Sequence, residues 1–366
     1  MCATQAASFP GGFVVSNRIS SRRRSTASIT VPDSNVLPVR AAPDGLDVSA
    51  VVAALRDGWG FEAVRADYAP VGGGSYHWHV ADPAGGRAFV TVDDLDHKAW
   101  LGDAREASFE GLRDAFETAA RLAASGLAFV VAPLRTRDGA PLVRLDERYT
   151  LALLPLVEGK PGEWGGYETD SDRLAVVELV AALHRAPVSA RRVGLELTEF
   201  RHLEAALRDL DVPWTGGPLA EPTREAMRVA APALVDLLAV ADHLHAEAES
   251  RGVRSVVTRG EPHSGNVVRT SKGPVLVDWD TVALASPERD LWMLTGEGMH
   301  ELYEERTGFA VNDAAVDYFR LSWDLKDLAE YLNVLRAPHT DNDDTRAWLG
   351  FVERFPAIRE EWAARL

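Results

Sequence analysis

The run Val256-Val257-Thr258-Arg259-Gly260-Glu261-Pro262-His263-Ser264-Gly265-Asn266-Val267-Val268 turns at Ser271-Lys272-Gly273-Pro274 and returns as Val275-Leu276-Val277-Asp278-Trp279-Asp280. Apolar, β-branched runs bracket a loop that holds an acid, then an amide five residues later, and a hairpin brings a second acid back to them. Asp278 directly follows Val275-Leu276-Val277, which predicts a carboxylate at a strand end facing a cleft. A strand-end aspartate also serves simply to begin a turn; Asn266 beside it favours a metal site. Phosphoryl transfer asks for this kind of set: an acceptor aimed at an attacking hydroxyl and oxygen ligands for Mg²⁺ on the phosphates, the rest being positioning and charge stabilisation.

Outward from this stretch the chain divides into two characters. Toward the N-terminus, a helical period runs from Asp47 through Val51 and Leu55 and stops at Gly58-Trp59-Gly60. Tyr76 to Val80 and Arg87 to Val92 flank Asp82-Pro83-Ala84-Gly85-Gly86 as strand, turn and strand. An amphipathic helix is predicted over Ser108 to Ser125, with Leu112, Phe116, Ala119, Ala120 and Leu122 on one face and Gly126 closing it. Phe129 to Leu134 and Pro141 to Leu145 read as a further hairpin turned at Asp138-Gly139. After Leu153-Leu154-Pro155-Leu156-Val157 the segments become long and helical: Ser171 to Arg185, Leu197 to Leu210, Glu221 to Arg251, Asn312 to Leu335 and Asp343 to Leu366. The pattern predicts an α+β protein of two lobes, an antiparallel-sheet lobe over residues 44–154 and a mainly helical lobe over 155–366.

Residues 1–40 are rich in Ser, Arg and Ala, with Arg22-Arg23-Arg24 in a row and no acid before Asp33. They read as a disordered tail or an over-extended start; a transit peptide shares the composition. A chain of 366 residues is long enough for two cores. No apolar run approaches the ~20 residues of a membrane span, so no membrane partner is expected, and a single cysteine, Cys2, leaves a reducing cytoplasm as the expected compartment. A formal charge of −16 argues against nucleic acid and would attract a cationic small molecule. The chain is expected to be a monomer or dimer. Only four lysines occur, Lys98, Lys160, Lys272 and Lys326.

The spacing of Glu261, His263, Asn266 and Asp278 resembles the aminoglycoside phosphotransferase family, whose catalytic loop reads His-Gly-Asp-x-His-x-x-Asn and whose metal-binding strand ends in Ile-Asp-Trp or similar. Glu178-Leu179-Val180-Ala181-Ala182-Leu183-His184 looks like the family's helix ending in Leu-His, and Ser286-Pro287-Glu288-Arg289-Asp290-Leu291 like its Gly-x-Pro-x-x-Asp-Leu element. The resemblance covers roughly residues 45 to 340. It implies a bilobal protein-kinase-like fold using ATP and Mg²⁺, with Glu261 as catalytic base, His263 bracing the loop, and Asn266 and Asp278 ligating the metal. Asp290 would be structural. The hinge at Leu154, Leu156 and Val157 would meet the adenine, and Gly72, Gly73, Gly74 and Ser75 would close over the phosphates.

Two departures stand out. The loop acid is Glu261 rather than aspartate, preceded by Arg259 where histidine is commoner; one extra methylene moves the carboxylate, and a displacement of about 1 Å costs on the order of 10²-fold. Thr91 stands where the strand lysine that touches the phosphates is expected, with Glu117 as that lysine's helix partner. Lys98 lies a few residues on and reads as a solvated surface lysine.

The resemblance implies O-phosphorylation of a small hydroxylated, cationic molecule: an aminoglycoside, an aminocyclitol or an amino alcohol, with antibiotic resistance as one outcome. Trp164, Tyr167, Glu158, Glu163, Glu168 and Asp170 suit a cationic pocket or a solvated acidic loop, and Asp341, Asp343 and Asp344 raise the same pair of readings. The rival reading is a pseudokinase that binds a nucleotide or ligand without turnover. A protein kinase is disfavoured, because the interval from Asp278 to Asp290 is too short for an activation segment. His77 and His79 alternate with Tyr76 and Trp78 and belong to one sheet face, not to a metal site.

Overall fold

Asp47 accepts the Ser49 amide hydrogen at 2.9 Å and caps α1 (Val48–Trp59), which ends at Gly60 with φ 69°. In the computed structural model, residues 43, 46–71, 75–98, 100–102, 104–163, 166–195 and 200–365 are described. The tail over 1–40, Gly72 to Gly74 and Trp164 lie outside them.

After α1 come β1 (Arg65–Ala69), β2 (Ser75–Ala81) and β3 (Arg87–Asp94), then α2 (Arg105–Ala124), β4 (Val143–Arg144) and β5 (Tyr149–Pro155). They make an antiparallel sheet in the order β1-β2-β3-β5-β4. Strand alternation divides β3 between two faces. Val90 and Val92 are fully buried in a core with Val51 and Leu55 of α1. Phe89, Thr91 and Asp93 point the other way. On that second face, Ala152 of β5 packs with Leu112 and Phe116 of α2.

The segments expected to pair as a hairpin around Asp138-Gly139 do so only at the turn, where the Thr136 amide donates to the Ala140 carbonyl at 2.8 Å. Before the turn, the Val131 amide reaches the Leu276 carbonyl at 3.1 Å and the Leu134 amide the Leu153 carbonyl at 2.7 Å. After it, β4 pairs with β5. Each arm thus has a partner elsewhere, a long-range choice that alternation alone does not encode.

The remaining elements are β6 (Lys160–Pro161), α3 (Asp170–His184), α4 (Phe200–Arg208), α5 (Ala220–Ser250), β7 (Val256–Thr258), β8 (Val267–Thr270), β9 (Gly273–Leu276), β10 (Ala283–Ala285), α6 (Glu288–Leu291), α7 (Met299–Thr307), α8 (Asp313–Arg336) and α9 (Asp343–Arg365). The expected long helices are present within two or three residues of their predicted ends; α7 and α6 were not anticipated. Among the described residues one helix, α5, is long and apolar enough by composition to cross a membrane. Here Met227, Leu234, Leu237 and Leu244 pack it against α8 and α9. The fold is α+β and bilobal: a sheet lobe joined at β5 to a helical lobe in which the β8–β9 hairpin is set.

Candidate active site

The β8–β9 hairpin pairs Val267 with Leu276, and one step further the Val277 amide donates to the Asn266 carbonyl at 3.0 Å. Asn266 and Asp278 therefore sit at the same open end of the hairpin. Asn266 is 9% exposed; its Nδ2 donates to the Glu261 carbonyl at 3.2 Å and to His263 Nε2 at 2.8 Å. With both amide protons engaged, what the side chain retains for a cation is its carbonyl oxygen. His263 is neutral: burial and the nearby Arg259 charge depress its pKa to about 3, which suits Nε2 as the acceptor. His263 Nε2 thus holds the Asn266 amide within the loop.

Asp290 anchors the start of the loop. Its Oδ2 accepts the Arg259 amide at 2.8 Å and its Oδ1 the Gly260 amide at 2.6 Å, while His184 Nε2 lies 3.0 Å from Oδ2. His184 Nδ1 in turn meets the Tyr303 hydroxyl at 2.8 Å. Burial works against the charge on Asp290, but the His184 hydrogen bond, Arg289 and the loop amides hold its pKa below the usual carboxylate value. From the other side the Tyr167 hydroxyl donates to the Pro262 carbonyl, and Ser264 Oγ to the Glu163 carbonyl. Tyr167 thus buttresses the loop. With Glu163 and Glu168 it lines a cavity of about 230 Å³ between α3 and β8–β9, whose lining includes neither Glu261 nor Asp278. Glu168 is bound to Arg269 at 3.1 Å.

Among the described residues Asp278 alone combines a side chain with positive φ, at 62°. This left-handed geometry suits an aspartate far better than a branched residue. It turns the chain so that Asp278 remains half exposed while Trp279 is buried. The packed surroundings of the site and the neighbouring Asp280 charge raise the Asp278 pKa above the usual carboxylate value. Glu261 is likewise raised, first by burial and then by Asp280. An amide oxygen and crowded carboxylates at one hairpin end are the hard-oxygen donor set that fits Mg²⁺.

Lys98 overturns a sequence expectation. It is 2% exposed, with Nζ 2.9 Å from Asp93 Oδ1, 3.1 Å from Ser75 Oγ and 2.7 Å from Asp280 Oδ2. Burial alone favours the neutral amine, but Asp280 and Asp93 reverse this and hold Lys98 charged. The same ammonium keeps Asp280 ionised against its own burial. Thr91 does lie on this face, its Oγ1 3.2 Å from His77 Nδ1. His77 stacks on Phe89 at 5.0 Å, and burial lowers its pKa to about 4. Glu117 takes no part: it is paired with Arg135 at 2.8 Å. A lysine beyond a strand's end carries no periodic signal; its place is set by the 3₁₀ turn Leu95–His97 that redirects the chain.

α8 adds acids that sequence reading left unassigned. Asp327 is raised well above the usual carboxylate range by burial and by the charges of Glu330, Asp324 and Glu261. Asp341, one of the acids near the C-terminus, is bound to Arg346 at 2.7 Å.

This lobed frame, with an anchored loop and a lysine meeting the acids across the cleft, defines a kinase-like small-molecule phosphotransferase. A profile of the Phosphotransferase enzyme family, APH, matches residues 67–331, and the chain belongs to that family. It is 28% identical over 257 residues to Protein StrN of Streptomyces griseus, covering 67% of this chain and 77% of that protein. Among solved structures, it is similar to a spectinomycin phosphotransferase in complex with ADP and spectinomycin, with a TM-score of 0.62, 13% identity, and coverage of 86% of this chain and 98% of that one. A microcompartment-associated aminopropanol kinase matches at a TM-score of 0.57 and 16% identity over 87% and 98% of the two chains. A choline kinase from Cryptosporidium parvum Iowa II matches at 0.54 and 10% over 87% and 97%. At these identities the likenesses speak to fold.

Proposed function

We propose that this protein transfers the γ-phosphoryl group of ATP, with Mg²⁺, to a hydroxyl of a small cationic molecule in the cytoplasm. The observation that carries the reading is the ion pair of Lys98 with Asp280, which sets a fixed cation between the sheet lobe and the acids of the hairpin. Residues 44–154 form the nucleotide-binding lobe, with Leu154, Leu156 and Val157 at the adenine and Ser75 at the phosphates. Residues 155–366 carry the catalytic loop and the acceptor pocket. Lys98 takes the phosphate-contacting part that Thr91 cannot fill, which weighs against the pseudokinase reading.

In this mechanism Glu261 orients the acceptor hydroxyl and takes its proton. The hydroxyl oxygen bonds to the γ-phosphorus as the bond to the β-bridging oxygen breaks, and ADP leaves. Asn266 and Asp278 would hold Mg²⁺, which when bound supplies neutralisation of the phosphate charge. His263 keeps Asn266 oriented through its amide. Similarity to enzymes named for spectinomycin, aminopropanol and choline supports an amine-bearing acceptor. So does Asp327, whose charge is opposed by the neighbouring acids Glu330, Asp324 and Glu261.

The test is ATP turnover with Mg²⁺ over a panel of aminoglycosides, aminocyclitols and amino alcohols, with Asp278→Ala as the blank. Acceptor-dependent turnover abolished by that change supports the reading. Absence of both turnover and ATP binding overturns it.

A further inference from the structure

Arg259 is 1% exposed, yet its guanidinium is spent on main-chain carbonyls that belong to two different functional segments. Nε and Nη2 both donate to the Val277 carbonyl, at 3.1 and 2.8 Å, and Nη2 also donates to that of Asp278. Nη1 donates to the carbonyl of Glu261. The residue's own main chain is fixed as well: its amide is held by Asp290, and its carbonyl accepts from Thr281 Oγ1 at 2.7 Å. The segments joined in this way are the one bearing the acid at 261 and the one bearing the acid at 278.

We infer that Arg259 is a positioning residue, a rigid clamp that sets the spacing between the Glu261 carboxylate and the Asn266–Asp278 pair. The inference rests on the phosphotransferase reading and deepens it. A guanidinium is planar and presents its donors in a fixed fork, so bonds to the carbonyls of Glu261, Val277 and Asp278 hold the loop and the turn in one fixed relation. A lysine at this position keeps the charge but has no fork, and a histidine has only two ring nitrogens. The clamp also puts a permanent cation behind the crowd of carboxylates: Nη2 is 3.8 Å from Asp278 Oδ2. It passes the metal-bearing turn by its backbone and leaves the Asp278 carboxylate outward, half exposed, where a cation approaches. Groups that orient metal ligands in this indirect way affect metal affinity by about 10- to 100-fold.

The experiment titrates Mn²⁺ by its paramagnetic resonance signal, with and without ADP, into the full chain, Arg259→Lys and Arg259→Met; ADP binding without metal and thermal unfolding are recorded in parallel. The inference expects Arg259→Lys to weaken Mn²⁺ binding about 10-fold or more while metal-free ADP affinity stays at the wild-type value. Arg259→Met would weaken Mn²⁺ at least as much, and should it not fold, Arg259→Lys alone decides. Wild-type Mn²⁺ affinity in Arg259→Lys overturns the inference, because charge would then suffice without the fork. Equal loss of Mn²⁺ and metal-free ADP binding, in step with a lowered melting temperature, also overturns it by leaving only a structural part. A wild-type protein that takes up neither Mn²⁺ nor ADP overturns the phosphotransferase reading, and this inference with it.

Discussion

Lys98 Nζ lies 2.7 Å from Asp280 Oδ2, joining residues 182 positions apart in the chain. The ammonium also touches Asp93, so it neutralises one acid of its own lobe and one of the other. Replacing Lys98 by Met leaves two buried carboxylates without their cation. The expected cost is about 3–5 kcal/mol in urea unfolding, together with loss of measurable ATP binding by calorimetry. Unchanged stability would show that the pair is not formed in solution.

Placing a lysine at Thr91 should not raise activity. The site already has its cation 3.1 Å from Ser75 Oγ, and a second ammonium beside His77 would be repelled by the first. The expected outcome is a fall in kcat/KM for ATP in Thr91→Lys. A gain in rate would mean that Lys98 does not contact the phosphates.

Asp278→Asn and Asp278→Ala separate backbone from chemistry. Asparagine tolerates the left-handed φ of 62°, so its melting temperature should stay within a degree or two of wild type. Alanine should cost about 1–2 kcal/mol of stability. Both should lower turnover by 100-fold or more if the carboxylate holds the metal, as read by coupled ADP release.

The loop anchor has a pH signature. The Asp290 pKa is lower in the folded protein than in the unfolded chain, so its stabilisation is present above the unfolded value, about 3.9. It is lost as pH falls through the lower folded value. Asp290→Asn should melt well below wild type at pH 7, and the gap should narrow as the pH is taken below about 4. A gap that is constant with pH would assign the whole effect to hydrogen bonds.

Asp327 has the opposite sign. Its raised pKa means that the folded state opposes its charge near neutral pH, so Asp327→Asn should increase the melting temperature at pH 7. If the acid receives the acceptor's cation, the same change should raise KM for a cationic acceptor by 10-fold or more and leave the KM for ATP alone. Raised stability with unchanged acceptor KM would remove Asp327 from the pocket.

Much of the candidate site is legible in the sequence because its parts are local. Glu261, His263, Asn266 and Asp278 lie within one loop and hairpin, where spacing alone brings them together, and the helices had clear apolar periods. Lys98 was misread as a surface residue because burial after a short 3₁₀ turn depends on Asp280, far along the chain. Glu117 was misassigned for a similar reason: Arg135, its partner, arrives from the turn after α2, a segment whose pairing was also misjudged. Arg259 stood in the sequence as an oddity beside the loop acid. Only the fold reveals that its donors reach Val277 and Asp278.

The two bonds of Lys98 also differ in the length of chain they close. Its link to Asp93 spans five positions and closes a loop no larger than a turn, whereas the link to Asp280 spans 182 positions of chain. By loop-closure entropy alone the second costs about 3 kcal/mol more than the first. The bond to Asp93 is thus the cheaper to close, and the bond to Asp280 has to draw on the packing of the whole intervening chain.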